Sequence, residues 1–416
     1  MDKEIFDAKE SILKNGIKLI TIKKETSLFS IHAGINIGSL YENKKEKGIA
    51  HFVEHMLFKG TYKQNNEKLN ANLENIGGEY NAYTDYNSTV VSIAGLTEEL
   101  KNGMELIADM LMNSSFDKEE IDKERDVILA EIRTSKDDVE DYSFNKAHEI
   151  AYKNSPLKYD TIGLEKTVKS FNRDMLISFY KKYYVPNNCY ISIVSSYNHA
   201  YIESLVEKIF SSWEYGEFTR NEVIIEKNIP LKKINYKSNI EQSSILYIFT
   251  FHDLDKTEEL ALRILNHKFG ESINSILFRE LREKKGLAYD IYSNLDVTKC
   301  VKSIYIYTAV SSLKIDEAIE LIDVCIQKIK DEIFVFDNDT INLMKKILKT
   351  AVVSTIEDTV DLGNYVLHQK IDGEDIFEFV NDMENLKNIK SSDIYEVARK
   401  VFNNPTIHIL LPKESD

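Results

Sequence analysis

Two segments of similar pattern lie about 220 residues apart in this chain of 416 residues. The first, LEKTVKSFNRDMLISFYKKYYVPNNCYISIV, begins at Leu164, and the second, MENLKNIKSSDIYEVARKVFNNPTIHILL, begins at Met383. Each predicts a helix with an apolar stripe, then a turn rich in asparagine and proline, and then a strand of alternating apolar residues. Because the offset is about half of the chain, we predict an internal duplication.

The middle of each half repeats the same order of elements. SIHAGINIG and SILYIFTFH predict strands that are followed by helices, and YTDYNSTVVSIAG and YDIYSNLDVTKCVKSIYIYT predict hairpins that precede a long helix. The chain is therefore expected to be α+β, with two homologous α/β sandwich domains that each have an antiparallel sheet and helices mainly on one face. We place the domains at residues 1–213 and 234–416, joined by a linker at 214–233.

Composition narrows the classes of partner and compartment. The net charge of −15 argues against nucleic acid, since phosphate binding requires a basic surface; it suits basic peptides, or serves solubility alone. The sequence contains neither a membrane-spanning apolar run nor a leader pattern at its start. Cys189, Cys300 and Cys325 lie far apart, which favours buried thiols in a reducing compartment. We expect a cytoplasmic protein.

The segment GIAHFVEHMLFKGT, residues 48–61, combines an apolar helix pattern with three polar side chains. His51, Glu54 and His55 stand at positions i, i+3 and i+4, so they share one helix face. Two neutral imidazoles one turn apart can bind one Zn²⁺, and Glu54 can reach a water at the metal. The spacing alone also allows a simpler reading, in which the histidines are ordinary surface or core residues.

A catalytic zinc site requires a third protein ligand, for which FDKEEIDKERDVILAEIR is the best source. Asp117 is a candidate N-cap of a helix that runs to about Ser135. Glu120, Glu124 and Glu131 fall on one side of this helix. Acidic helices are usually only solvated, and spacing alone leaves the role of Glu131 open.

HFVEHMLFKGT resembles the zinc signature of the inverzincin peptidases, in particular the branch of the mitochondrial processing peptidase and its bacterial relatives. The resemblance implies that a glutamate about 76 residues after the second histidine is the third ligand, and Glu131 stands there. It also implies that a glutamate seven residues earlier, here Glu124, orients a ligand. The second domain, which has no H-x-x-E-H motif, is expected to bind no metal.

Two further segments extend the resemblance over most of the chain. NAYTDYNSTVV is similar to the edge strand on which the family binds its substrate, which implies that Asn81, Ala82 and Tyr83 contact the peptide backbone. LFRELREKKGLAYDIYS is similar to the segment whose arginine and tyrosine hold the substrate carbonyl, which implies this role for Arg282 and Tyr289. The preceding LNHKFGESINSILF has one glycine where relatives have a glycine-rich loop, so the resemblance implies nothing about the substrate preference that depends on that loop.

The sequence as a whole predicts a zinc endopeptidase that binds peptides or unfolded segments as an added β-strand in a cleft between its halves. The resemblance implies a homodimer, or a heterodimer with a related subunit. One alternative is a non-catalytic scaffold or partner subunit of the same fold, although such relatives typically lose the motif. Another is a metal enzyme that acts on a small molecule.

Overall fold

The computed structural model of this chain describes residues 5–413. Eleven strands in this part form two sheets. In chain order they are β1 (Asp7–Ile12), β2 (Lys18–Lys23), β3 (Leu28–Ile35), β4 (Glu79–Thr84), β5 (Thr89–Leu96), β6 (Cys189–Ser195), β7 (Leu231–Lys237), β8 (Ser243–Thr250), β9 (Ala288–Val297), β10 (Lys302–Val310) and β11 (Thr406–Pro412).

Fourteen α-helices accompany the sheets within residues 5–413. In chain order they are α1 (Ile49–Leu57), α2 (Asn66–Glu74), α3 (Leu100–Asn113), α4 (Lys118–Asp137), α5 (Val139–Ala151), α6 (Glu165–Ser170), α7 (Arg173–Tyr183), α8 (His199–Ile209), α9 (Lys256–Asn266), α10 (Ile315–Lys330), α11 (Asn338–Glu357), α12 (Thr359–Asp372), α13 (Glu378–Asn385) and α14 (Ser391–Val401).

The chain forms two compact units, and neither is continuous in sequence. The first unit contains the described residues up to Arg133, together with Tyr159–Val223 and Val352–Glu378. The second contains Thr134–Lys158, Ile224–Ala351 and the described residues from Phe379 onward.

The first unit is built on a six-stranded sheet in the order β1-β2-β6-β3-β5-β4, in which the β2–β6 pair is parallel and the other pairs are antiparallel. Phe29, Ile31 and Ala33 alternate along β3 and lie in the apolar core with buried residues of α1 and α3. The period of two along a strand places the intervening residues on the other face. One face of this sheet is therefore covered by several helices.

The other face of the first sheet is covered by α12. Here Ser30 donates a hydrogen bond to the carbonyl of Thr359 over 2.7 Å, and Ser192 donates to the carbonyl of Gly363. A Cβ at Gly363 would lie 2.7 Å from Oγ of Ser30 and 2.8 Å from Nδ1 of His32, so glycine permits this close approach. Short polar residues on the sheet and a glycine on the helix thus form a tight polar contact.

The second unit repeats this arrangement around a five-stranded sheet in the order β7-β11-β8-β10-β9, with β7 and β11 parallel. Ile245, Tyr247 and Phe249 of β8 join the core formed with α9, α10 and α14. The opposite face is covered by α5, where the hydroxyls of Ser143 and Ser244 are in hydrogen-bond contact. The α+β class with helices mainly on one face is confirmed, with one parallel pair in each sheet.

Helices α5 and α12 are equivalent elements of the duplicated halves. Asp138 and Asp358, which are 220 residues apart, cap their N-termini by accepting hydrogen bonds from backbone N–H groups. By sequence α5 lies in the first half, yet it packs in the second unit, and α12 does the reverse. The boundaries at 213 and 234 remain a prediction about the sequence repeat. Hydrophobic periodicity could not predict this exchange of helices, because it does not identify which sheet a helix covers.

The three cysteines are free and buried, as their spacing predicts. Among residues 5–413, no helix combines the length and the hydropathy that crossing a membrane requires. This result for the helices agrees with the absence of an apolar run of about 20 residues in the sequence.

Buried histidines predict that the fold loses stability in mild acid. Burial lowers the pKa of His148 from 6.5 to about 4, and burial likewise lowers the pKa of His32 and of His408 to about 4. Because the unfolded chain binds more protons than the folded chain between these pH values, the free energy of unfolding falls as the pH falls from 6.5 to 4, by up to about 3 kcal/mol per histidine.

Urea unfolding midpoints measured across this pH range test the expectation. The variant His148→Gln, whose amide can still meet the hydroxyl of Tyr305 but does not titrate, should lose less stability than the wild type between pH 6.5 and 4. Parallel pH profiles for the two proteins would contradict this role of His148.

Candidate metal centre

Helix α1 carries the H-x-x-E-H motif and has two different sides. Phe52, Val53 and Met56 are fully buried in the first core, as the helical spacing predicts. His51 and His55 are half-buried on the other side. The helix ends at Leu57, and Gly60 follows with φ +106°, a left-handed conformation that suits glycine. Packing of the apolar side therefore determines where the polar side points.

The N-terminus of α1 is held by a residue that the sequence did not single out. Both carboxylate oxygens of Glu42 accept backbone hydrogen bonds, from the N–H of Gly48 at 3.0 Å and of Ala50 at 2.9 Å. Glu42 is buried and lies 3.9 Å from the ammonium of Lys47, which donates to the carbonyl of Ser39. Burial raises the pKa of Glu42 and lowers the pKa of Lys47, against the attraction between them. In the sequence, Glu42 belongs to a charged stretch that resembles a solvated loop.

Three side chains of the first unit form a group that could hold a metal ion. One ligand atom each from His51, His55 and Glu131 lies within 4.8 Å of the other two. The Oε2 atom of Glu131 is 3.6 Å from Nε2 of His55 and 3.9 Å from Nε2 of His51. Two ligands bound to a tetrahedral zinc at about 2.0–2.1 Å would be about 3.3 Å apart, so a small contraction makes the three donors fit zinc.

Glu124 and Glu131 come from α4, which starts at Lys118 as predicted. Asp117 accepts hydrogen bonds from the N–H groups of Glu119 and Glu120, which confirms it as the N-cap. Glu124 lies one heptad before Glu131 and is buried, whereas the side chain of Glu131 is 42 % exposed. The same helix thus brings one carboxylate to the metal group and another behind it.

Glu124 fixes the orientation of the His55 ring. Its Oε2 atom lies 2.9 Å from Nδ1 of His55, and its Oε1 atom lies 2.7 Å from Nζ of Lys59. Burial opposes ionisation of Glu124, but the hydrogen bonds from His55 and Lys59 outweigh burial and lower its pKa. An ionised carboxylate only accepts hydrogen bonds, so Nδ1 of His55 carries a proton, and Nε2, on the side of Glu131, is the ring nitrogen that a metal could bind.

Glu54 lies on the same helix but outside the three-residue group. Its side chain is buried, and its Oε2 atom accepts a hydrogen bond from the hydroxyl of Thr84 at 2.9 Å. Burial raises its pKa despite the nearby His55 and the bond from Thr84. A carboxylate with a raised pKa, next to a group that could hold zinc, can accept a proton from water.

The predicted substrate residues Asn81, Ala82 and Tyr83 lie on β4, which ends the first sheet and pairs with β5. Ala82 packs on the first core, while the hydroxyl of Tyr83 contacts Oδ1 of Asn364 at 2.6 Å and Nε2 of His368 at 2.7 Å. An edge strand leaves one row of backbone N–H and C=O groups unpaired within the sheet. The three residues therefore stand where an added strand could bind.

Arg282 and Tyr289 belong to the second unit, and the structure brings them close to each other. Arg282 lies in a π-helical stretch, Phe278–Glu283, and its guanidinium is 5.9 Å from the centre of the Tyr289 ring. The side chain of Tyr289, on edge strand β9, is 72 % exposed. Their contribution to the site of the first unit remains a prediction.

Two matches to protein families cover most of the chain. Residues 18–165 match the family described as Insulinase (Peptidase family M16), and residues 170–346 match the Peptidase M16 inactive domain. An uncharacterized zinc protease of Rickettsia felis is 32% identical over 415 residues, which cover 96% of each chain. The beta subunit of the mitochondrial-processing peptidase of Mus musculus is 35% identical over 172 residues, covering 41% of this chain and 35% of its own length.

Solved structures show the same fold. A protease from Helicobacter pylori superimposes with a TM-score of 0.90 at 20% identity and covers 98% of this chain and 100% of its own. An M16-like peptidase from Alicyclobacillus acidocaldarius gives a TM-score of 0.83 at 16% identity, with 98% and 99% covered. These likenesses confirm the two-part α+β fold that the sequence predicts.

The buried pair of Glu42 and Lys47 predicts a large loss of stability when the carboxylate is removed. In Glu42→Ala the N–H groups of Gly48 and Ala50 lose their acceptor and the buried Lys47 loses its ion-pair partner, so we expect the free energy of unfolding to fall by about 3–5 kcal/mol. Urea unfolding measures this change. The matched variant Glu46→Ala, in the same loop, should change stability by about 0.5 kcal/mol at most. Similar losses in both variants would show that Glu42 does not anchor the helix.

Proposed function

This chain belongs to peptidase family M16, and on that premise we propose that it is a zinc-dependent endopeptidase. Its relatives that are named zinc proteases support a peptidase function for the family. The observation that carries the proposal is the convergence of His51, His55 and Glu131, two imidazoles and one carboxylate, on the side of α1 opposite to its apolar core residues.

The donors suit zinc, and the surroundings suit hydrolysis. Three protein ligands of this type are typical of catalytic zinc sites, which leave a further position for water or substrate. When bound there, zinc would supply Lewis-acid polarisation of a peptide carbonyl and would make water more acidic. Glu54 would act as the base: its Oε atoms accept the proton of the attacking water and later deliver it to the leaving amine.

The proposed substrate is a peptide or an unfolded segment that binds along the free edge of β4. Backbone hydrogen bonds to Asn81, Ala82 and Tyr83 would extend the sheet by one strand, a mode in which the main chain supplies most of the affinity. By resemblance to the family, Arg282 and Tyr289 would hold the substrate carbonyl. The tyrosine hydroxyl would donate to the developing oxyanion.

We propose a dimer as the working state, either of two copies or with a related subunit. A relative in mouse is named as the beta subunit of a mitochondrial-processing peptidase, and this name supports the proposal of a dimer. The cytoplasm is the proposed compartment.

The alternative of a non-catalytic scaffold makes the opposite prediction about metal, since a scaffold would purify without zinc and would be indifferent to a chelator.

The variant Glu54→Gln separates metal binding from catalysis. It should keep about one zinc per chain, because Glu54 is not a proposed ligand, while cleavage of a quenched-peptide library falls by at least about 100-fold through loss of the base. Metal content is measured by atomic emission and turnover by fluorescence. A chelator should abolish wild-type cleavage, and added zinc should restore it. Wild-type turnover by Glu54→Gln would eliminate this residue as the base.

Binding as an added strand predicts alternating sensitivity to backbone methylation. In a β-strand, successive N–H groups point to opposite sides, so N-methylation of a cleaved peptide at every second position should weaken binding, by about tenfold per lost hydrogen bond. Methylation at the intervening positions should have a much smaller effect. The measurement is KM for a series of singly methylated peptides, and a flat series would argue against the added strand.

A further inference from the structure

Two polar residues outside the H-x-x-E-H motif each contact a carboxylate at the candidate site, and each contacts a different one. Lys59 follows the end of α1, and its ammonium is 2.7 Å from Oε1 of Glu124. Thr84 ends β4, and its hydroxyl donates to Oε2 of Glu54 at 2.9 Å. The sequence pattern alone assigns neither residue a role at the site.

Lys59 and His55 bind opposite oxygens of the same buried carboxylate. The side chain of Glu124 is 7 % exposed, and its Oε2 atom faces Nδ1 of His55 while Oε1 faces Lys59. A buried carboxylate is stable as an anion only when charged or hydrogen-bonding groups surround it. Removing the ammonium of Lys59 therefore weakens the acceptor that holds the His55 ring, although Lys59 touches neither histidine nor Glu131 by any described contact.

Thr84 plays the corresponding part for Glu54 from a different element. The hydroxyl belongs to β4, so it approaches the carboxylate from the sheet and not from α1. It is also 3.3 Å from the hydroxyl of Thr89, which donates to the carbonyl of Ile37. Because Thr89 donates its proton to Ile37, the proton of the Thr84 hydroxyl is free to be donated to Glu54.

We propose that Lys59 and Thr84 orient different side chains of α1. Lys59 acts through Glu124 on His55 and thereby controls the affinity for zinc. Thr84 acts on Glu54 and thereby controls turnover. Both are positioning residues. The Thr84 half of this inference rests on the proposed function, while the Lys59 half concerns metal binding alone.

The Lys59 half is tested by zinc affinity, measured by competition with a chromophoric chelator. Lys59→Met should weaken zinc binding by about 10- to 100-fold, the range for loss of a group that orients a ligand. Lys59→Arg, which keeps the charge, should restore most of the affinity. Lys68→Met removes the same charge from an exposed site of the first unit and should leave the affinity unchanged within about twofold.

The Thr84 half is tested by kinetics of the zinc-loaded enzyme. Thr84→Val keeps the shape but removes the donor, and it should lower kcat by about tenfold while KM and zinc affinity stay within about twofold of the wild type. Thr84→Ser should restore kcat. Thr97→Val is the matched control, because the hydroxyl of Thr97 is buried and has no hydrogen-bond partner among the described residues.

Four outcomes decide the matter. The proposal is supported if Lys59→Met weakens zinc binding while Thr84→Val lowers kcat without changing the zinc affinity. Wild-type zinc affinity in a folded Lys59→Met, checked by circular dichroism, overturns the first half. Equal loss of zinc affinity in both variants overturns the proposal of separate roles. A zinc-loaded wild type that cleaves no peptide refutes the proposed function and with it the Thr84 half, while the zinc titration of Lys59→Met still decides the first half.

Discussion

Helix α1 has to bury Phe52, Val53 and Met56 while it presents His51 and His55 on the opposite side, and this double demand sets its rotation about its own axis. A nine-residue helix is too short to be stable by itself. It is stabilised from outside by the core and by Glu42, which binds its first N–H groups. The geometry of the metal group therefore depends on the packing of a helix whose own propensity contributes little.

The polar groups around the metal centre show how burial and partners assign roles to carboxylates of one kind. Glu54 and Glu124 are both buried, yet the pKa of Glu54 is raised by burial and the pKa of Glu124 is lowered by His55 and Lys59. One can exchange a proton, while the other stays ionised and orients a ring. Glu131 is more exposed, and its Oε2 atom lies within 4 Å of Nε2 of both histidines.

Each duplicated half of the chain contributes one helix to the unit that the other half mainly forms. Each sheet needs a cover on its second face, and each half of the chain provides that helix to the other unit, α5 in one case and α12 in the other. In the first unit this places α12 against the edge strand, where Asn364 and His368 bind the hydroxyl of Tyr83. A residue near the end of the chain thus supports a strand near its beginning.

The sequence by itself determined the class of fold, the duplication and the N-cap at Asp117, and it predicted the three side chains that the structure brings together, because these follow from local periodicity and from a spacing that resembles a known family. It did not determine which sheet α5 and α12 cover, nor the partners of Glu42, Lys59 and Thr84. Those depend on contacts such as Glu42 with the amides of α1 and Thr84 with Glu54. From sequence alone, a charged or hydroxyl residue is expected to be exposed to solvent. Only the tertiary structure shows that it is buried against a specific partner.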